Sequence, residues 1–370
     1  MKRLAIRTDL NVLVPAALIA LLMPFLAAVD ALLRYDHVVT RPDPWSVWPL
    51  TPGITLSILL AAYIYIAGQR HSANTAKNDP QGLRHLAFFG GLAALFLALQ
   101  SPIEPISDHL FVVHQVEHML LRTVAPMLLM VGAPQAALIR GLPNWMRRYV
   151  VTPLLSRPTI RALAILGHPA VATMLFVGTT YFWMIPRYHD LALLDEPIHY
   201  LWHTTLLLSG LIFFWRVFDS RPYPRGTSLG VRLFMFWCAS VGNILLGSYL
   251  SFKHQVLYHA YGDVGRMWGL SPLDDETCGG LIMWVMGGMM FGATAVLMVY
   301  RWALEEDSRV ARRNEKYKPV KAADLQPQRK AANRQMAIGL VCFVFTVLII
   351  TFATVSVYHY SAGFSHLAWL

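Results

Sequence analysis

SDHLFVVHQVEHMLLRTVAPMLLMVGAP, residues Ser107 to Pro134, places His114 and His118 four positions apart in an otherwise apolar run. Read as a helix, that spacing turns about 400° at roughly 100° per residue, so both imidazoles leave one face, one turn apart. The arrangement recurs at His199 and His203 in DEPIHYLWHTTLLLSGLIFFW, residues 195–215, again just inside the start of a long apolar segment. Two helices can thus bring four imidazoles to one point.

With 370 residues, 56% of them hydrophobic and only 14% charged, the chain is too apolar for a soluble globular protein. It reads as all-α: a polytopic membrane helix bundle forming one integral membrane domain over 1–370. A formal charge of +10 raises nucleic acid as a partner. The basic residues, however, lie between apolar segments, where they act as topology signals facing a lipid bilayer, so nucleic acid is set aside. Cys238, Cys278 and Cys342 stand far apart without a CxxC, which points away from a disulfide framework or thiolate zinc site and toward packing.

About nine spans are expected: 12–33, 53–68, 85–100, 109–131, 162–185, 199–217, 233–252, 279–302 and a last one at 337–358. They divide into a seven-helix core with one extra helix at each end, and residues 303–336 form a charge-dense cytoplasmic linker. Lys and Arg concentrate in alternate loops: Arg70 to Arg84, Arg140 to Arg161, Arg216 to Arg232, and Arg301 to Arg334. That asymmetry predicts the N-terminus inside and the C-terminus outside. All four paired histidines then fall near the outer face, level with Asn243, Ser248, Asp275 and Glu276.

An ionisable side chain in a span is expensive and marks a site by default, so His114, His118, His199 and His203 are the expected metal ligands. His109 lies about 180° around the helix from His118 and is read as interfacial. Glu117 either supports a ligand or neutralises Arg122. Met283, within GLIMWVMGGMMFG, offers a thioether suited to Cu(I), whereas Met286, Met289 and Met290 are read as packing. Asp275 and Glu276 are read as further ligands or as carboxylates guiding cations in from the outer aqueous phase. Imidazole-rich, cysteine-poor ligation suits copper and zinc, with haem iron as a third option.

Three stretches together resemble the multi-spanning CtaG family of assembly factors for caa-type cytochrome c oxidases: VHQVEHMLLRTVAPMLLMVGAP (113–134), EPIHYLWHTTLLLSGLIFFWRVF (196–218) and LSPLDDETCGGLIMWVMGG (270–288). The family-like core runs over 50–302. The chain departs from the family pattern at Glu117 and Glu276, where Gln is usual, and at Met286, where Pro is usual. The resemblance implies a non-enzyme of the bacterial plasma (inner) membrane that helps mature a heme-copper oxidase. Copper would be bound by the paired HxxxH motifs and handed to oxidase subunits, after supply by a periplasmic or extracytoplasmic copper donor. Two other classes stay open: a zinc-dependent membrane hydrolase with Asp275 or Glu117 as base, and a haem-binding membrane cytochrome.

Overall fold

The protein's structure is a computed structural model, and it describes residues 48–70, 81–154, 156–219, 221, 226–292, 294–296, 298–299 and 302. The expected first span, the linker and the last span lie outside these residues. Every regular element among the described residues is helical. The principal helices are α1 (Pro52–Arg70), α2 (Gln81–Gln100), α3 (Phe111–Gly132), α4 (Gln135–Gly141), α5 (Pro169–Trp183), α6 (Pro186–Leu194), α7 (Glu196–Val217), α8 (Leu229–Phe252) and α9 (Pro272–Val296).

Local chemistry sets most of these boundaries. Proline stands in the first turn of α5, α6, α7 and α9, where its missing N–H costs nothing. Asp195, Ser228 and Ser271 cap α7, α8 and α9, their side chains accepting from Ile198 N, Val231 N and Asp274 N. After Gly132 the chain turns through a left-handed Ala133 (φ 45°) into Pro134, and α4 leaves at 74°. The segment expected as one span at 162–185 is broken instead. Gly167 ends a helix over Arg157–Leu166, His168 caps the next, and Pro169 starts α5. The RYHDLALLDEP stretch, which reads from sequence as an outer loop, folds as α6, bent 76° from α5.

Among the described residues, four helices are long and apolar enough to cross a membrane, or up to six spans if each bent pair, α3 with α4 and α5 with α6, counts as one. Helix α7, at 22 residues, has the length. Its two histidines and two threonines make it more polar than those four. The polarity of the bundle is inverted relative to a soluble protein. Leu56, Leu83, Met174, Phe234 and Met289 face outward, whereas His114, Glu117, Arg122, Asp275 and Glu276 are buried. Apolar exterior with polar interior is the arrangement that lipid as solvent favours.

Helix α3 is central and packs against α2, α7 and α9. Its approach to α7 requires Gly210, because a Cβ there would run into the Arg122 carbonyl and stand 2.9 Å from Pro126 Cγ. Close backbone contact of this kind is the usual role of small residues between membrane helices. A core of Phe176, Phe213, Phe214, Phe236 and Phe291 fills the bundle beyond that crossing. The histidines occupy its other side, toward the N-terminal ends of α3 and α7.

Candidate metal centre

His114 and His118 leave one face of α3, and His199 and His203 one face of α7, as i,i+4 geometry dictates. The two faces meet. One nitrogen from each of the four rings lies within 4.8 Å of every other. His199 Nε2 and His203 Nε2 are 3.1 Å apart, and the ring centroids of His114 and His118 are separated by 4.1 Å. A tetrahedral ion with bonds of about 2.0–2.1 Å holds its nitrogens about 3.3 Å apart, so small ring rotations close this set on a metal. His114, His118 and His203 are buried and His199 nearly so, while Trp202 packs against the rings of His114 and His118 at 4.8 and 4.3 Å.

Burial makes the unused nitrogens informative. His114 Nε2 and both ring nitrogens of His118 are enclosed with no hydrogen-bond partner among the described residues. Buried polar atoms normally have one, so these nitrogens fit a ligand to be bound. The other nitrogen of His114, Nδ1, lies 2.6 Å from Tyr261 Oη, which in turn lies 2.9 Å from His189 Nε2. Burial, with Asp275 nearby, holds the Tyr261 phenol well above its usual range, so it keeps its single proton. In the tautomer with the proton on His114 Nδ1, that proton points to Tyr261, the phenol donates to His189, and His114 Nε2 presents its lone pair to the other imidazoles. This is the arrangement by which a neighbouring group fixes the tautomer of a metal-binding histidine.

Neither His189 nor Tyr261 stands out in the sequence. His189 belongs to a stretch that reads as a loop, and Tyr261 sits in the short helix Ala260–Val264, within the long connection between α8 and α9. Glu117 is buried with its Oε1 3.5 Å from His203 Nε2, longer than a good hydrogen bond, and Ser107 stands beside it. It therefore places a buried carboxyl group next to the imidazoles. Met283 is buried too, and its side chain shares a cavity lining with His118.

The entrance role expected of Asp275 and Glu276 is corrected by their placement, since neither carboxylate is exposed. Asp275 reaches from α9 to the start of α3, where its two oxygens accept from Phe111 N and Val112 N, each at 2.9 Å. It thereby caps the helix that carries His114. Glu276 accepts from Leu257 N at 3.0 Å and Tyr258 N at 2.9 Å and pairs with Lys253, which pins the α8–α9 connection over the site. Helix N-termini attract carboxylates because their first N–H groups lack partners, and here that need is met from a different helix.

Residues 61–305 match the family model described as cytochrome c oxidase caa3 assembly factor. An uncharacterized Mycobacterium bovis protein and one from Mycobacterium tuberculosis are each 27% identical to the chain over 312 residues, covering 80% of it and 46% of each relative. A Mycobacterium leprae protein is 25% identical over 323 residues. The chain thus spans about half the length of the curated relatives it matches. No solved structure matches it.

Proposed function

The chain belongs to the cytochrome c oxidase caa3 assembly factor family, and from that premise we propose that it carries copper between its four histidines and hands it to a heme-copper oxidase. Copper is cargo here, received from an extracytoplasmic donor. The chain is a carrier, not an enzyme. The observation that carries this reading is the convergence of four imidazoles, three of them buried, with three ring nitrogens that have no partner among the described residues.

The donor set bears on the rival chemistries. Catalytic zinc sites keep one position open for water, whereas four protein imidazoles close the coordination sphere, which favours carriage over hydrolysis. A haem needs room for a porphyrin between its axial histidines, and Trp202, packed on the rings of His114 and His118 at 4.8 and 4.3 Å, stands against a macrocycle there. Transfer proceeds by ligand exchange. Its natural first step is release of His199, the most exposed of the four at 13%, whose Nδ1 faces Asp108 at 3.9 Å on the rim of the site. With nine spans and the N-terminus inside a bacterial plasma membrane, that rim faces the outer side, where an oxidase's copper centre is filled.

Metal analysis of protein purified without chelating columns tests the site, and oxidase activity in cells at limiting copper tests the role. His118→Ala and His203→Ala should each abolish copper retention and leave oxidase subunits present but inactive. Normal oxidase activity in the double variant would end the assembly reading. Zinc in place of copper in the wild type would favour the hydrolase.

A further inference from the structure

Beside the four-histidine centre, and sharing His118 with it, lies a cavity of about 20 Å³, with Gln115, His118, Arg122, Thr180 and Asn243 on its polar side. Such a volume accommodates roughly one water-sized occupant. No carboxylate lines it. Arg122 is only 8% exposed, and its Nε has no hydrogen-bond partner among the described residues. It makes no ion pair among the described residues, and its guanidinium carbon stands 4.1 Å over the Phe176 ring. Glu117, five positions earlier, is directed at His203 instead. The Gln115 amide nitrogen is also buried and unpartnered.

A guanidinium cannot shed its proton in a protein, and a buried, unneutralised cation is costly in a membrane interior. The aromatic face beneath Arg122 offsets only part of that cost, since cation–π attraction is weaker than a charge-assisted hydrogen bond. The cavity that these donor residues line therefore lacks a neutralising negative charge. Thr180 does not supply one, because its hydroxyl donates to the Phe176 carbonyl at 3.2 Å. Asn243 donates its amide to the Met283 carbonyl. One positive charge and one water-sized space select a single small monoanion, and exclude phosphate or sulfate by size and charge.

We propose that the cavity between His118 and Arg122 binds one halide-sized monoanion, held by the guanidinium and by the Gln115 amide. The site stands on the cavity and on the unpaired donors, and it goes beyond the copper reading without needing it. Where copper does sit on His118, the anion neutralises Arg122 next to the arriving cation.

The test is equilibrium binding of radiolabelled chloride to the metal-free, full-length protein in nanodiscs prepared in gluconate. Saturable binding approaching one chloride per chain is expected. Arg122→Gln should weaken it at least about tenfold, as loss of a charge-assisted contact requires, while Arg122→Lys retains most of it. His203→Ala, which does not line the cavity, should leave chloride binding intact even as it abolishes copper retention, so failure of the copper reading and failure of this one are separable. If Arg122→Gln is not recovered folded, Gln115→Leu gives the same reading with a smaller loss. Absence of saturable chloride binding in the wild type overturns the proposal, as does undiminished binding in Arg122→Gln or, in its place, Gln115→Leu.

Discussion

The hydroxyl of Tyr261 determines which nitrogen of His114 is free, because it engages Nδ1 at 2.6 Å and leaves Nε2 without a partner. Tyr261→Phe removes that constraint and strands two buried imidazole nitrogens, on His114 and His189. Loss of an outer partner of a metal-binding histidine typically lowers metal affinity by about 10- to 100-fold, and a drop in that range is expected for copper in competition with a chromogenic chelator. The fold should survive with about 1–3 kcal/mol less stability. Unchanged copper affinity would show that His114 is oriented by something else. The four ligands themselves are legible in the sequence, since i,i+4 spacing in an apolar run constrains side-chain direction directly. Their supports are not: Tyr261 is 147 positions from His114, and Asp275 caps Phe111 across 164. No local periodicity encodes such pairings, and an acidic residue near a span's outer end reads equally well as an entrance group. The one local signal for His189 is Pro186, which marks a helix start within a stretch that otherwise reads as loop.

At the scale of elements, the site exists because α3 and α7 approach closely at one level and carry their histidines at another. The helix carrying the first pair is not uniform. From Leu120 to Val124 it widens into a π-helical turn, two residues after His118 and around Arg122. Such a turn rotates the rest of the helix relative to a regular one, which a simple 100° count does not foresee, and these turns recur at functional positions. Gly210→Ala probes the crossing, because its Cβ would press on the Arg122 carbonyl and on Pro126. The backbones must then separate, and about 1–3 kcal/mol of stability should be lost through overpacking. Copper retention should fall with it, although no ligand is changed, whereas Gly178→Ala on α5, which meets nothing within 4 Å, should be neutral for both. Metal content and thermal melting of the two variants, measured side by side, check this. Helix existence is largely readable from apolar runs. The break at Gly167, His168 and Pro169 carries its own local signals, but the apolar runs on either side mask them.

For the whole molecule, the decisive feature is that charge is inside and hydrocarbon outside, which fixes a membrane environment before any orientation is known. Orientation has to come from the loops. The histidines of α3 and α7 occupy the first turns of both helices, and the capping carboxylate of Asp275, the Glu276 anchor and Tyr261 gather at that same end. The two helices therefore enter the membrane from one side, and a single topological fact places the entire centre. Arg140, Arg147, Arg148 and Arg161 come after the far end of α3, and Arg216, Arg221 and Arg232 flank or succeed the far end of α7. Because cations near span ends are retained in the cytoplasm, the far ends should be inside and the histidine ends outside. Reporter fusions truncated after Arg148 and Arg225 should therefore report cytoplasm, and one after Asp263 should report the outer side. A cytoplasmic signal at Asp263 would turn the whole centre inward at once. Copper supplied from the outer phase would then have no direct path to His199, and the carrier reading would need a cytoplasmic donor in its place.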